Sequence, residues 1–225
     1  MKKNIIKVII FDLDDTLYPE RSFVENGFKT VAEYVQKKFK VEKKKFFKVL
    51  IKDLEKEGRG HTFDTTLRKY NLYSKELIDR LIKVYRFHKT NIKLYPGVKN
   101  LLNSLKRKYK LALITDGLGY VQRNKIKILN LEDFFDFIIC TDDYNKGKPS
   151  SYSFKKVLEY FNISPKEAIY IGDDPYKDFL GPKKIGIKTA RVLQGKYKDI
   201  KKKKEFEADH NISKLIEIKN LLKRY

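Results

Sequence analysis

Apolar positions follow two different rules along the chain. Short continuous runs occupy residues 5–11, 110–114, 137–140, 168–171 and 188–192, each bounded by polar or turn-forming residues. Runs of this length, β-branched in places, read as strands buried on both faces. Between them, residues 97–108, 119–130, 151–162, 176–184 and 213–224 place apolar residues at helical spacing. The alternation predicts an α/β fold built on a parallel sheet. Residues 20–92 carry only helical periodicity, in "VENGFKTVAEYVQKKF", "KKFFKVLIKDLEKE", "TLRKYN" and "KELIDRLIKVYRFHK", with breaks at Gly58, Gly60 and Asn71. That stretch is much too long for a simple crossover and predicts an all-helical insertion.

Composition narrows the class. With 225 residues, 41% of them hydrophobic, the chain can bury a full core as one domain with an insertion or as two small ones. No run of about 18 apolar residues occurs, and the start "MKKNIIKVIIF" has neither the apolar length nor the small-residue cleavage site of a signal peptide. A cytoplasmic protein without a membrane span is expected, as a monomer or homodimer. The single cysteine, Cys140, ends a buried-type run and reads as a small core residue, so no disulfide framework is available. The formal net charge of +22, from 51 Lys and Arg against 29 Asp and Glu, raises nucleic acid or an anionic substrate as partners. Most of that charge is lysine scattered over helical segments, without aromatic interleaving and with little arginine. A solvated lysine-rich surface accounts for it and argues against nucleic acid. The low-complexity piece "KYKDIKKKKEFE", residues 196–207, reads as an exposed loop.

Candidate chemistry gathers where strands end. In "VIIFDLDDTLYPE" the first strand runs into Asp12, Asp14 and Asp15. Ligands of parallel sheets collect beyond the carboxyl ends of strands, and a hard cation such as Mg²⁺ relieves repulsion between clustered carboxylates. Taken alone, "DLDDT" is equally an acidic cap opening a helix. Three further strand ends add weight. "KLALI" leads into Thr115, Asp116 and a glycine, "FDFIIC" leads to Lys148 before Pro149, and "AIYI" ends in "GDDPYKD" with Asp173, Asp174 and Asp178. A nucleophilic carboxylate, a hydroxyl, a cation and further acids, each at a strand's end, make a set suited to phosphoryl transfer.

Those motifs, in that order and spacing, resemble the four motifs of the haloacid dehalogenase (HAD) superfamily over essentially the entire chain. The insertion after the first motif resembles the helical cap of its phosphoglycolate-phosphatase-like branch. The resemblance implies a Rossmannoid core at residues 1–18 and 93–225, with a cap domain at 19–92. It further implies that Asp12 attacks phosphorus and becomes an aspartyl phosphate, with Mg²⁺ held by Asp12, the backbone carbonyl of Asp14, and Asp173. Asp14 would act as acid and then base, Thr115 with neighbouring N–H groups would hold phosphoryl oxygens, and Lys148 would neutralise charge. Asp178 would orient Lys148 or a metal-bound water, with Asp174 as its substitute. Asp15 and Asp116 have turn or solvent roles, with Asp116 placed beside the phosphoryl-binding groups. Dehalogenases of the superfamily lack a carboxylate two residues after the nucleophile, so Asp14 favours a phosphatase acting on a small phosphorylated metabolite, a sugar phosphate or a nucleoside monophosphate.

Two other readings stand beside this one. A sugar phosphomutase uses the same carboxylate pair, and a phospho-receiver also joins Asp, Thr and Lys on an α/β sheet. The receiver places its phosphorylated Asp after a middle strand and has no inserted cap. Within the insertion, "EGRGHTFDTTL" sets Arg59 between two glycines and ahead of His61. This segment reads either as a plain connection, with Gly58 ending one helix and Thr62 or Asp64 capping the next, or as a substrate-contacting loop in which Arg59 and His61 grip the leaving group.

Overall fold

The computed structural model describes residues 5–58 and 60–225. The chain forms two compact units, one made of the inserted segment Arg21–Asn91 and the other of the chain before and after it.

The inserted unit is helical throughout its described elements: α1 (Glu20–Phe39), α2 (Lys43–Glu57), α3 (Thr62–Lys69) and α4 (Lys75–Arg86). Helix α1 buries Val24, Phe28, Val31, Ala32 and Val35, a spacing that aligns them on one face. They pack with Phe46 and Leu50 of α2, Leu67 of α3, and Leu77 and Leu81 of α4. Ser74 caps α4 by accepting from the N–H of Leu77 at 3.1 Å. Asp53, fully buried in α2, accepts from the Thr66 hydroxyl at 2.7 Å and pairs with Lys69. Helix α3 is thereby pinned to α2 by a charge whose countercharge stays half in water.

The other unit is a six-stranded sheet, parallel in every pairing, in the order β3-β2-β1-β4-β5-β6. Its strands are β1 (Val8–Phe11), β2 (Lys110–Thr115), β3 (Phe137–Cys140), β4 (Ala168–Gly172), β5 (Lys188–Val192) and β6 (His210–Ile212). Helices α5 (Val98–Lys106), α6 (Gly119–Ile128), α7 (Tyr152–Phe161), α8 (Leu180–Lys184) and α9 (Ile218–Leu222) connect and flank them. Strands β1 and β4 are buried along their whole length, which explains their unbroken apolar sequence. Phe154 and Val157 of α7 pack with Val8, Ile10, Ala112, Ile114 and Tyr170 in the core. Phe11 is in register with Leu113 on one side and Ile171 on the other. From β1 the chain passes to β2 and β3 on one side and then crosses from β3 to β4 on the other, so the carboxyl end of β1 lies at a topological switch point.

Three expectations are corrected. The sixth strand is only three residues of mixed polarity, too short and too polar to stand out as a run. Asp209 places it by accepting from both the N–H and the hydroxyl of Thr189, while the N–H of Leu193 donates to the carbonyl of Ile212. The helix expected over 176–184 is confined to Leu180–Lys184 because residues 175–178 form a turn around the Asp178 carboxylate. The helix expected over 213–224 is a 3₁₀ turn at Leu215–Glu217 followed by α9.

Candidate active site

Asp12 follows β1 directly and is buried, its N–H donating to the carbonyl of Ile171 on β4 at 2.8 Å. Gly172 ends the neighbouring strand β4 with Asp173 directly after it, and Thr115 closes β2 on the other side. The register of three adjacent parallel strands therefore delivers these groups to one sheet edge. Lys148 arrives from the loop after β3, its side chain fully buried and its ammonium 2.5 Å from Asp12 Oδ1, 2.7 Å from Asp178 Oδ1 and 3.0 Å from the Tyr170 hydroxyl. The Lys148–Pro149 peptide is cis.

Asp178 occupies the centre of the turn after β4. Its Oδ1 accepts from Lys148 and from the Tyr170 hydroxyl, and its Oδ2 accepts from the N–H groups of Asp173 and Asp174 at 3.1 and 2.9 Å. Gly172 makes this possible, since a Cβ there would lie 2.3 Å from Asp178 Oδ2. One carboxylate oxygen from each of Asp12, Asp173 and Asp178 lies within 4.8 Å of the others. The oxygens of Asp178 are saturated by four donors, so proximity alone overstates its fitness as a ligand. Asp12 and Asp173 retain acceptor capacity.

The electrostatics point the same way. Burial pushes Asp12 up to about 7, opposed by Lys148 and reinforced by Asp178. Burial, with Asp178, Asp12, Asp15 and Asp174, pushes Asp173 up to about 10. Burial also works against ionised Asp178, but Lys148 and Lys177 outweigh it and hold that carboxyl below its ordinary value. Asp173 is thus a buried carboxylate surrounded by acids and, among the described residues, without a side-chain ion pair of its own. An oxygen-rich, negatively charged pocket of this type fits a hard divalent ion.

Asp14 occupies a different environment. Its carboxylate accepts from the Tyr18 hydroxyl, from Gln122 Nε2 at 2.9 Å, and from Lys125 Nζ at 2.7 and 3.0 Å. Burial raises its proton affinity, but Lys125, Tyr18 and Gln122 outweigh burial and hold the carboxyl below its ordinary value. Gln122 also donates to the hydroxyl oxygen of fully buried Thr115. One amide therefore ties the end of β2 to Asp14. Tyr18, Gln122 and Lys125 were not singled out from sequence. The signal available was their spacing: Tyr18 lies one helical turn beyond Asp14, and Gln122 and Lys125 lie three apart on α6.

The remaining sequence candidates divide. Asp116 Oδ1 accepts from the Thr141 hydroxyl at 2.6 Å and from the Lys148 N–H at 3.2 Å, bracing the loop that carries Lys148. Asp174 Oδ1 accepts from the Tyr176 N–H at 2.8 Å and closes the turn. Asp15 sits at φ 53°, buried, accepting from the N–H groups of Glu20 and Lys196. Its role is that of a turn residue rather than a solvated one. Arg191, buried on β5, donates to the carbonyls of Asp173, Ile200 and Tyr197 and pairs with Glu207, anchoring the 196–207 loop to the site's backbone. Nothing in the apolar pattern of β5 marked it. Cys140 is buried among core residues.

In the inserted unit, Arg59 lies outside the described residues. His61 is exposed and is the N-cap of α3, with no cap hydrogen bond from its ring, so capping by Thr62 or Asp64 is corrected. The Thr62 hydroxyl instead donates to the carbonyl of Gly58 at 2.8 Å. A cavity of about 300 Å³ inside this unit is lined by Phe28, Gly60, Thr62, Phe63, Tyr85 and Arg86 among others.

Comparison with known proteins places this geometry. Residues 9–192 match the family described as haloacid dehalogenase-like hydrolase. The chain belongs to that family. A glyceraldehyde 3-phosphate phosphatase of Pyrococcus furiosus is 33% identical, the match covering 97% of this chain and 94% of the relative. A phosphoglycolate phosphatase of Aquifex aeolicus is 29% identical over 84% of this chain and 86% of the relative. The crystal structure of a HAD phosphatase from Thermococcus onnurineus superposes with a TM-score of 0.66 at 25% identity, covering 96% of this chain and 98% of the other. As a HAD-like hydrolase the chain is an enzyme. Among the described residues no helix is long and apolar enough to cross a membrane.

Proposed function

We propose that this hydrolase is a Mg²⁺-dependent phosphomonoesterase acting on a small phosphorylated metabolite through an aspartyl phosphate on Asp12. One observation carries the reading: two carboxylates, one residue apart in one turn, have different partners. Asp12 joins an acid cluster beside Lys148, while Asp14 is held apart by Tyr18, Gln122 and Lys125. The relatives named above as phosphatases support it.

The ion would be held by Asp12, Asp173 and the Asp14 backbone carbonyl, supplying charge neutralisation at the phosphoryl oxygens. Asp14 is ionised in the resting site and takes up a proton as the phosphoryl anion binds beside it; Asp12 then attacks phosphorus as the ester P–O bond breaks, and Asp14 gives that proton to the departing alkoxide. Asp14, now a carboxylate, takes a proton from the water that attacks the phosphoenzyme. Cleavage of the bond to Asp12 then releases inorganic phosphate and restores the carboxylate. Asp178 keeps Lys148 charged and aimed at Asp12, and Thr115 offers its hydroxyl hydrogen to a phosphoryl oxygen.

The inserted helical unit serves as the cap that selects the leaving group, with Arg59 and His61 as its gripping residues. The exposed His61 ring, which makes no cap hydrogen bond among the described residues, and the adjacent cavity support that role. A Mg²⁺-supplemented panel of glyceraldehyde 3-phosphate, phosphoglycolate, hexose phosphates, nucleoside monophosphates and p-nitrophenyl phosphate tests the reading. Phosphate release from at least one metabolite, abolished by chelation, is expected. No release from any ester refutes it. Arg59→Ala and His61→Ala should lower kcat/KM for the best metabolite far more than for the nitrophenyl ester, and equal losses would remove the cap assignment.

A further inference from the structure

The phosphatase reading gives Lys148 the task of meeting the substrate's negative charge, but its hydrogen bonds are already engaged. A lysine ammonium has three donors. Those of Lys148 face Asp12 at 2.5 Å, Asp178 at 2.7 Å and the Tyr170 hydroxyl at 3.0 Å, in a fully buried setting. Two carboxylates share its charge. A phosphoryl dianion arriving at Asp12 finds no donor left on that residue while this network stands.

A second ammonium lies at the same place in a different condition. Lys177 Nζ is 3.8 Å from Asp116 Oδ2 and 4.0 Å from Asp174 Oδ2, both beyond hydrogen-bond length, and its side chain is 39% exposed. No hydrogen bond from its ammonium is present among the described residues. Asp116 follows β2 and Asp174 follows β4, and β1 runs between those two strands. Neighbouring strands are about 4.8 Å apart, so a group within reach of both flanking loops lies across the end of β1. That end carries Asp12.

We propose that Lys177 is a substrate-binding residue, the ammonium that takes the non-bridging oxygens of the phosphoryl group as it meets Asp12. This assignment rests on the phosphatase reading above. Two lysines near its neighbours are engaged differently. Lys202 lies 3.7 Å from the ring centre of Tyr176, and Lys196 lies 5.1 Å from that of Tyr197, so both are engaged by aromatic faces. The charge on Lys177 is secure at neutral pH. Burial and Lys148 press its proton affinity down, but Asp12, Asp178 and Asp116 outweigh them and raise it. Its partial exposure and long ion pairs leave it free to swing onto an incoming anion without breaking a hydrogen bond.

Titration calorimetry of inorganic phosphate into the full chain with saturating Mg²⁺ tests the assignment. Lys177→Met should weaken phosphate binding by about ten- to a hundredfold, the loss of one charge-assisted hydrogen bond. Lys177→Gln should show the same loss, and Lys177→Arg should recover part of it. KM for p-nitrophenyl phosphate should rise with the phosphate Kd, with circular dichroism showing the fold retained in each variant. Unchanged phosphate affinity in both neutral variants overturns the role of Lys177 and leaves the phosphatase reading standing. A wild-type chain that neither binds phosphate nor turns over any ester overturns both.

Discussion

Asp12 and Asp14 are separated by a single residue, yet they belong to two pockets with opposite electrostatics. Around Asp12 the acids Asp173 and Asp178 outnumber the paired ammonium of Lys148, burial is nearly complete, and the proton affinities of Asp12 and Asp173 rise to about 7 and about 10. Around Asp14 the neighbours are donors, and the carboxyl is held below its ordinary value. One turn thus presents a cluster that calls for a cation beside a carboxylate already matched to its cation. The difference teaches that the division of labour between nucleophile and acid–base group is set by partners from other elements. Asp12 receives Lys148 from the loop after β3, and Asp14 receives Gln122 and Lys125 from α6.

Removing each pocket's key group should break the comparison in a graded order. Asp12→Asn should lower kcat on the order of 10⁴-fold or more with the fold intact, measured by steady-state phosphate release and thermal melting. Turnover within tenfold of wild type would remove the covalent role. Asp173→Asn should raise the half-saturating Mg²⁺ concentration by roughly ten- to a hundredfold, read from a metal titration of activity. An unchanged titration would move the ligand role to Asp174 or Asp178. In the second pocket, Lys125→Met deprives Asp14 of its countercharge without touching Asp12. Its kcat should fall about tenfold on an alkyl phosphate and less on p-nitrophenyl phosphate, whose anion leaves without a proton. Equal losses on the two esters would mean that Lys125 acts on Asp12 as well.

A carboxylate at the opposite end of the strands gives the smallest effect and a control. Glu167 pairs with Lys7 and accepts from the N–H and hydroxyl of Ser164, and its pKa falls from 4.5 to about 2 through these contacts. A depressed folded-state value means the contribution to stability is complete above 4.5 and is lost as pH falls toward about 2. Glu167→Gln should flatten the stability profile in that window alone, as followed by urea melts, and leave activity at neutral pH unchanged. An activity change would show the two ends of the sheet to be coupled.

The legible parts of the chain were those encoded locally. β1 and β4 are buried on both faces, so their apolar runs and the acids that end them could be read directly. The partners of those acids could not. Gln122 and Lys125 matter because α6 packs beside β1's end, and Lys177 matters because β1 lies between β2 and β4. Adjacency of that kind appears only with strand order. Arg191 and the short strand β6 were hidden for a related reason: a buried arginine and a three-residue edge strand are defined by hydrogen bonds from distant chain, not by periodicity.

The division of labour between the two pockets is tested most directly by rapid-quench kinetics of Asp14→Asn with p-nitrophenyl phosphate and Mg²⁺. The nitrophenolate departs without an acid, so Asp12 should still be phosphorylated, while hydrolysis of the phosphoenzyme, which needs Asp14 as base, stalls. The predicted result is a burst of about one nitrophenolate per protein chain, with the phosphate retained on Asp12 and a slow steady state afterwards. Release of nitrophenolate and phosphate in step, with no burst and no label on Asp12, would contradict it.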